Sequence, residues 1–182
     1  MEKGNYGYIQ NKKKKLIMSF IVTVVIAVAI YAIGFMLNDY SGRNIFTVFA
    51  MLFVLPLAKI ISSLAVVIQH KDLSLELYKK IKKVSNNKRS VLYDLVLTSS
   101  DKIMYIQSMA ITKDEYIMLI DKQQNEGFIK TYFKKHMSNY NLKKEVIVVR
   151  SVEEYINRFR ESLVEDSEEL KEILSKLFIL QI

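Results

Sequence analysis

The chain has 182 residues and a net charge of +8, with no cysteine and no tryptophan, two histidines (His70 and His136), five glycines and one proline. That composition excludes disulfides, thiolate metal sites and cysteine nucleophiles, and two histidines are too few for a metal cluster. The scattered glycines form no phosphate-cradling loop, and the length leaves room for a membrane hairpin and one small domain.

Residues 1–15 carry Lys3, Lys12, Lys13, Lys14 and Lys15 against Glu2, a basic N-terminal segment. Leu16–Leu37 follows, 22 residues without a charge. Ile45–Ile68 is a second apolar run of 24 residues, with Lys59 as its one charge. A helix rises ~1.5 Å per residue, so each run reaches across a hydrocarbon core of ~30 Å. The separating stretch, Asn38-Asp39-Tyr40-Ser41-Gly42-Arg43-Asn44, reads as a tight turn between two antiparallel membrane helices. The first run is too long for the core of a cleaved signal, and a second span follows at once, so it reads as a signal anchor.

Positive charge stands on one side of both runs. After the second come Lys71, Lys79, Lys80, Lys82, Lys83, Lys88 and Arg89 against Asp72 and Glu76, while Asp39 balances Arg43 in the turn. The positive-inside rule then places both termini in the cytoplasm of a multi-pass cell-membrane protein. The basic character is a topology signal first, and nucleic acid is not an expected partner.

Two residues inside the second run stand out. Pro56 removes a backbone donor and frees the carbonyl of Leu52, which predicts a kink just before it. Lys59 costs ~2.5–3.5 kcal/mol at the centre of a span, so it needs a partner or a route to water. It is an anchor for another membrane subunit, part of an ion path, or a snorkelling lysine that ends a shorter span. In the first run Ser19, Thr23 and Ala27 at four-residue spacing permit close helix approach.

Beyond the second run, Leu73, Leu77, Ile81 and Val84 share one helical face and Lys79, Lys80, Lys82 and Lys83 the other, with Asn86-Asn87 as the stop. This basic amphipathic helix either lies on anionic lipid or packs its apolar face on the domain that follows. Three strands are predicted next: Ser90–Thr98, Lys102–Ile111 and Glu115–Ile120, joined by turns at Ser99-Ser100-Asp101 and Thr112-Lys113-Asp114. Connections that short imply an antiparallel meander. Helical spacing of Ile129, Tyr132, Phe133, His136, Met137 and Tyr140 predicts a helix over about 125–140, and Glu145–Val149 a short buried strand. Ser151 with Glu154 reads as a capping box opening a helix with Val152, Tyr155, Ile156, Phe159 and Leu163 on one face. Asp166 and Glu169 repeat that pattern before Leu170, Ile173, Leu174, Leu177 and Phe178, and the apolar Ile179–Ile182 is expected to dock somewhere. The expected architecture is a membrane α-helical hairpin followed by a small cytosolic α/β domain of order α-β-β-β-α-β-α-α. Its parts are 1–15, the hairpin 16–69 and the domain 70–182.

That order, with Leu92-Tyr93-Asp94-Leu95-Val96-Leu97 through Tyr116-Ile117-Met118-Leu119-Ile120-Asp121, resembles the nuclease-related domain family of restriction-endonuclease-like folds over residues 73–149. The resemblance implies a metal-dependent nuclease fold, in which Asp94 and Asp121 would be the carboxylates that hold Mg²⁺. The chain departs from the family pattern: Gln123 stands where the motif has lysine, Gln107 where a metal-binding aspartate is expected, and Lys122 is one position off. The resemblance therefore implies a catalytically inactive copy.

From the residues themselves, Asp94 in its apolar strand is the candidate for a perturbed carboxylate, with bonding to a backbone donor as its structural role. His136 reads as a core histidine. The expected function is that of a non-catalytic membrane protein with no cofactor, whose cytosolic domain binds a protein partner, or a second copy, as an accessory subunit. The alternatives are a membrane-tethered nuclease-like enzyme and a ligand sensor. The expected contacts with the bilayer are Lys12, Lys13, Lys14, Lys15, Pro56, Lys59, Lys79, Lys80, Lys82 and Lys83.

Overall fold

The computed structural model describes residues 3–85, 90–99, 102–162 and 168–181. Contacts divide the chain into two compact units: Gln10–His70, and a second made of Met1–Ile9 together with Lys71–Ile182. The helical unit is thus an insertion within the sequence of the other.

Within residues 10–70 the chain is helical on both sides of one turn. Helix α1 covers Tyr8–Leu37, α2 Ile45–Leu52 and α3 Val54–Ile68. The second apolar run is therefore two helices rather than one. The break falls at Phe53, whose backbone stays near helical values (φ −66, ψ −13). Pro56 has no N–H for the carbonyl of Leu52, and its position in the first turn of α3 is one where that N–H lacks an intrahelical partner anyway. Between α1 and α2, Asp39 and Tyr40 adopt left-handed φ values of 47° and 60°. Asn44 caps α2 by accepting from the Thr47 N–H at 3.0 Å, and its amide donates to the Gly34 carbonyl at 3.2 Å. Gly34 is where the helices meet closely: a Cβ there would lie 2.1 Å from Cβ of Phe46. In the stripe Ser19, Thr23, Ala27 the Thr23 hydroxyl donates to the Ser19 carbonyl of its own helix. At the other end of this unit Lys13 donates to the carbonyls of Ile68, at 3.0 Å, and His70. The start of α1 and the end of α3 are therefore neighbours.

The second unit is a mixed sheet covered on both faces. Helix α4 (Leu75–Ser85) precedes strands β1 (Val91–Thr98), β2 (Ile103–Ile111) and β3 (Glu115–Ile120). Helix α5 (Glu126–Ser138), strand β4 (Glu145–Val149) and helices α6 (Val152–Glu161) and α7 (Glu168–Leu180) complete it. The strand order is β1-β2-β3-β4, antiparallel through β3, with β4 parallel to β3. The meander expected from the short connections is present, and the crossover through α5 makes the last pair parallel. Thr112 closes the β2–β3 turn by bonding Glu115 through both its backbone and its hydroxyl. Of the expected turn Ser99-Ser100-Asp101, Ser100 and Asp101 lie outside the described residues, as do Asn86-Asn87, Lys88 and Arg89, and Leu163 and Asp166.

Two apolar layers sandwich the sheet. On one face Ile129, Phe133 and Met137 of α5 and Leu170, Ile173 and Leu177 of α7 pack on Met118, Ile120, Val146 and Val148. On the other, Ile81 of α4 and Tyr155 and Phe159 of α6 pack on Ile117, Leu119, Ile147 and Val149. The apolar face of α4 is thus spent on the domain, leaving Lys79, Lys80, Lys82 and Lys83 exposed. Of the apolar C-terminal segment Ile179–Ile182, Leu180 packs on the domain, Ile179 is exposed and Ile182 lies outside the described residues. Gln181 forms an antiparallel bridge with Leu97 on the free edge of β1, and Lys3 donates to the Phe178 and Gln181 carbonyls at the end of α7. Ser151 caps α6 by accepting from the Glu154 N–H, but the carboxylate that its hydroxyl meets is Glu153, not Glu154.

Candidate functional site

Strands β3 and β4 alternate cleanly, with Tyr116, Met118 and Ile120 to one layer and Ile117 and Leu119 to the other. Strands β1 and β2 do not. On β1 the residues facing α5 and α7 are Leu92, then Leu95 and Leu97; on β2 they are Met104 and Ile106, then Met109 and Ile111. Each strand slips by one residue, at Asp94 and at Gln107. Because both slip, the β1–β2 register is unchanged across the fault (Tyr93↔Ser108, Leu95↔Ile106), whereas the β2–β3 register shifts between Ile106 and Ser108. Asp94 takes a left-handed φ of 51° to make the slip. A non-glycine residue there costs about 1–2 kcal/mol, which the surrounding bonds must offset.

The slip turns the Asp94 carboxylate into a pocket of donors. The residue is fully buried (0 % exposed). Oδ1 accepts from the Leu73 N–H at 2.7 Å and the Tyr105 hydroxyl at 3.1 Å, and Oδ2 from the Gly7 N–H at 2.9 Å. Asp72 adds a parallel tie by accepting from the Ile9 N–H at 2.9 Å. The chain stretches just before and just after the inserted helices in sequence are therefore fastened at a single sheet position. Tyr6 stacks on Tyr78 at 4.0 Å, Tyr78 meets Tyr93 edge-on, and the Tyr93 N–H donates to the Gly4 carbonyl. Burial pushes the Asp94 carboxyl up to about 6, against the pull of the Leu73 and Gly7 donors, with the Asp72 charge adding to the rise. The Tyr105 hydroxyl is driven well above its ordinary range by burial and then by the Asp94 charge.

The other carboxylate named from the sequence lies elsewhere. Asp121 is exposed just past the end of β3, where Oδ1 accepts from the Gln123 N–H at 3.4 Å. Lys122 and Gln123 are exposed beside it, and Gln107 occupies the bulge in β2. Among the described residues no three His, Asp or Glu side chains gather as a metal set. His136 is half-buried between the rings of Tyr132 and Tyr140, and burial lowers its pKa.

In the helical unit, Lys14, Lys15, Pro56 and Lys59 are exposed, and Lys12 and Lys13 are half-buried. Sequence reasoning singled out Asp94 but not its partners Gly7, Leu73 and Tyr105, nor the companion Asp72. An acid set directly after an apolar run, among lysines, was the available signal for Asp72. No family model, curated protein or solved structure matches the chain. The class defined by fold and site is thus a mixed α/β domain, with two helical segments long and apolar enough to cross a membrane inserted near its start.

Proposed function

We propose that this is a multi-pass membrane protein whose two apolar helical segments form a hairpin with both ends on the cytoplasmic side, and whose α/β domain is a non-catalytic module that binds a protein partner as an accessory subunit. The observation that carries the membrane part is exposure. Of the most apolar stretch in Tyr8–Leu37, 0 % is buried, and 6 % of that in Ile45–Ile68. Core helices of a soluble domain would bury such faces, and water is a poor solvent for them. The contact of Lys13 with the last carbonyls of α3 supports a hairpin whose two ends share one side. Lys12, Lys14 and Lys15 before the hairpin and Lys79, Lys80, Lys82 and Lys83 after it then face anionic headgroups, at ~1 kcal/mol each. The non-catalytic part is supported by Asp94, whose lone pairs are taken up by main-chain donors and one phenol, and by the placement of Asp121 on a different, exposed element.

The test uses the absence of native cysteine. Single cysteines at Ser41 and at Lys171 are probed in whole cells with a membrane-impermeant maleimide, alongside alkaline extraction. Ser41→Cys should label from outside, Lys171→Cys only after lysis, and the chain should stay with the membrane. Release without detergent overturns the reading. A Lys59→Leu variant that retains every captured partner removes Lys59 from the binding argument. Divalent-metal-dependent cleavage of DNA or RNA by the full chain, lost in Asp121→Ala, replaces the non-catalytic part with the nuclease-like alternative.

A further inference from the structure

Lys59 is the one charge in either apolar run, and the chain gives it nothing to pair with. Leu16–Leu37 and Ile45–Ile68 contain no aspartate or glutamate, and among the described residues Lys59 has no hydrogen bond or ion pair. On α3 it stands on the open side: Leu57, Leu64 and Val67 are half-buried or buried, whereas Ala58, Lys59 and Ser62 are exposed. The Ser62 hydroxyl, one turn on, donates to the Ala58 carbonyl at 2.9 Å, so its proton is used within the helix. Snorkelling does not bring the ammonium out. Nine residues, Ile60 to Ile68, follow Lys59 in the run. At ~1.5 Å each they place it about 14 Å from the near end, close to the middle of a ~30 Å core. Side chains on a helix lean toward its N-terminus. On α3 that direction is back toward Pro56 and away from the near end, so the stem carries the ammonium deeper.

We infer that Lys59 is the docking point for a membrane span of a different protein, one that carries a carboxyl group at mid-bilayer depth. This deepens the accessory-subunit reading above, on which it rests, by naming what the partner presents. A charge at that depth is costly unless it is paired. A carboxylate bonded to the ammonium cancels it, and no water competes for either group there. A second copy of this chain cannot serve, because it brings another lysine and no acid to the same depth. Lipid phosphates lie outside the hydrocarbon core, so they do not meet the ammonium either. Ala58, Ser62 and Ala65 on the same side are small and exposed, which lets the backbone of a second helix come close to Lys59.

The test reconstitutes the full chain in phosphatidylcholine vesicles with a synthetic leucine-rich transmembrane peptide, and reads association by resonance energy transfer between labels on the two. The peptide carries glutamate at its centre, or leucine there as the control. A central position matches the depth of Lys59 whichever way the peptide inserts. The glutamate peptide should bind about tenfold more tightly than the leucine peptide. Lys59→Leu should abolish that difference and Lys59→Arg should keep it, with circular dichroism as the check on folding. Equal binding of the two peptides overturns the inference, and so does a preference for glutamate that survives Lys59→Leu. A cation or proton leak through the same vesicles, lost in Lys59→Leu and accompanied by equal peptide binding, assigns Lys59 to an ion path instead. Flotation of the vesicles separates the two readings. A chain that does not float with the lipid overturns the membrane reading and this inference with it, whereas one that floats without discriminating between the peptides overturns this inference alone.

Discussion

Helices α1 to α3 and the sheet domain draw on the same aliphatic residues and dispose of them in opposite ways. In the domain, Ile106, Met109, Ile117, Leu119 and Ile173 have essentially no exposed surface. In the helical unit, Ile21, Val25, Val28, Ile33, Val48, Leu55 and Ile61 stand open along their helices. Composition alone does not separate the two regions; the partner of each side chain does. The domain's apolar residues find one another across a sheet, while the helices approach closely at Gly34 and leave most of their apolar surface exposed. Polar groups follow the same division. The domain engages Asp94 and Ser108 with donors and acceptors of its own, whereas Lys59 has no hydrogen bond or ion pair among the described residues.

Truncation in the two regions should break this symmetry most visibly. Phe133→Ala in the domain should cost about 3–5 kcal/mol in a guanidinium titration of the detergent-solubilised chain. Val28→Ala on α1 should leave the same transition within ~0.5 kcal/mol. An equal loss from Val28→Ala would mean that the helix surface is packed after all.

Removing the buried carboxylate comes next. Asp94→Ala strands two N–H groups and a phenol, and should cost about 3 kcal/mol. Its pH dependence has a definite sign. The folded carboxyl titrates at about 6, above the ordinary 3.8, so the fold holds the proton more tightly than the unfolded chain does. Stability from this group is fully present below pH 4 and is lost as pH rises through about 6, by up to ~3 kcal/mol. Asp94→Asn should flatten that part of the stability–pH curve, and an unchanged curve would reject the assignment.

A smaller effect sharpens the other side. Gly34→Val would drive a side chain into Phe46, at roughly 1–3 kcal/mol of overpacking. It should lengthen the distance between spin labels at Ile33 and Val48 while leaving the domain's transition in place. Least of all, Ser151→Ala should remove the α6 cap for ~1 kcal/mol, seen as a small shift of the same denaturation midpoint.

Local rules carried most of the fold. Apolar runs bounded by short turns located the strands of the domain, and helical spacings its helices, because those signals are written along each element's own few residues. The break between α2 and α3 at Phe53 likewise falls just before Pro56. What escaped were features set by distant pairings. Nothing near Lys3 or Gly4 marks them as neighbours of Tyr93 and Gln181, and nothing in Val91–Thr98 marks Asp94 as the residue with a left-handed backbone. A strand pattern of leucine, tyrosine, aspartate and leucine reads as ordinary pairing; the slip coincides with one at Gln107 on the adjacent strand, which lies far off in sequence. The Asp94 carboxylate was legible as a buried acid and illegible as a tie, since its donors come from residues 7 and 73.

Closing the β1 edge with residues 4 and 181 has a consequence for biogenesis. Synthesis is vectorial, so the segment around Gly4 is made before its partner Tyr93 and waits for that strand to follow. Gln181, which bridges to Leu97, is made later still. Until then the Leu97 end of the strand that holds Asp94 has an open flank, of the kind that pairs wrongly with neighbouring chains during synthesis.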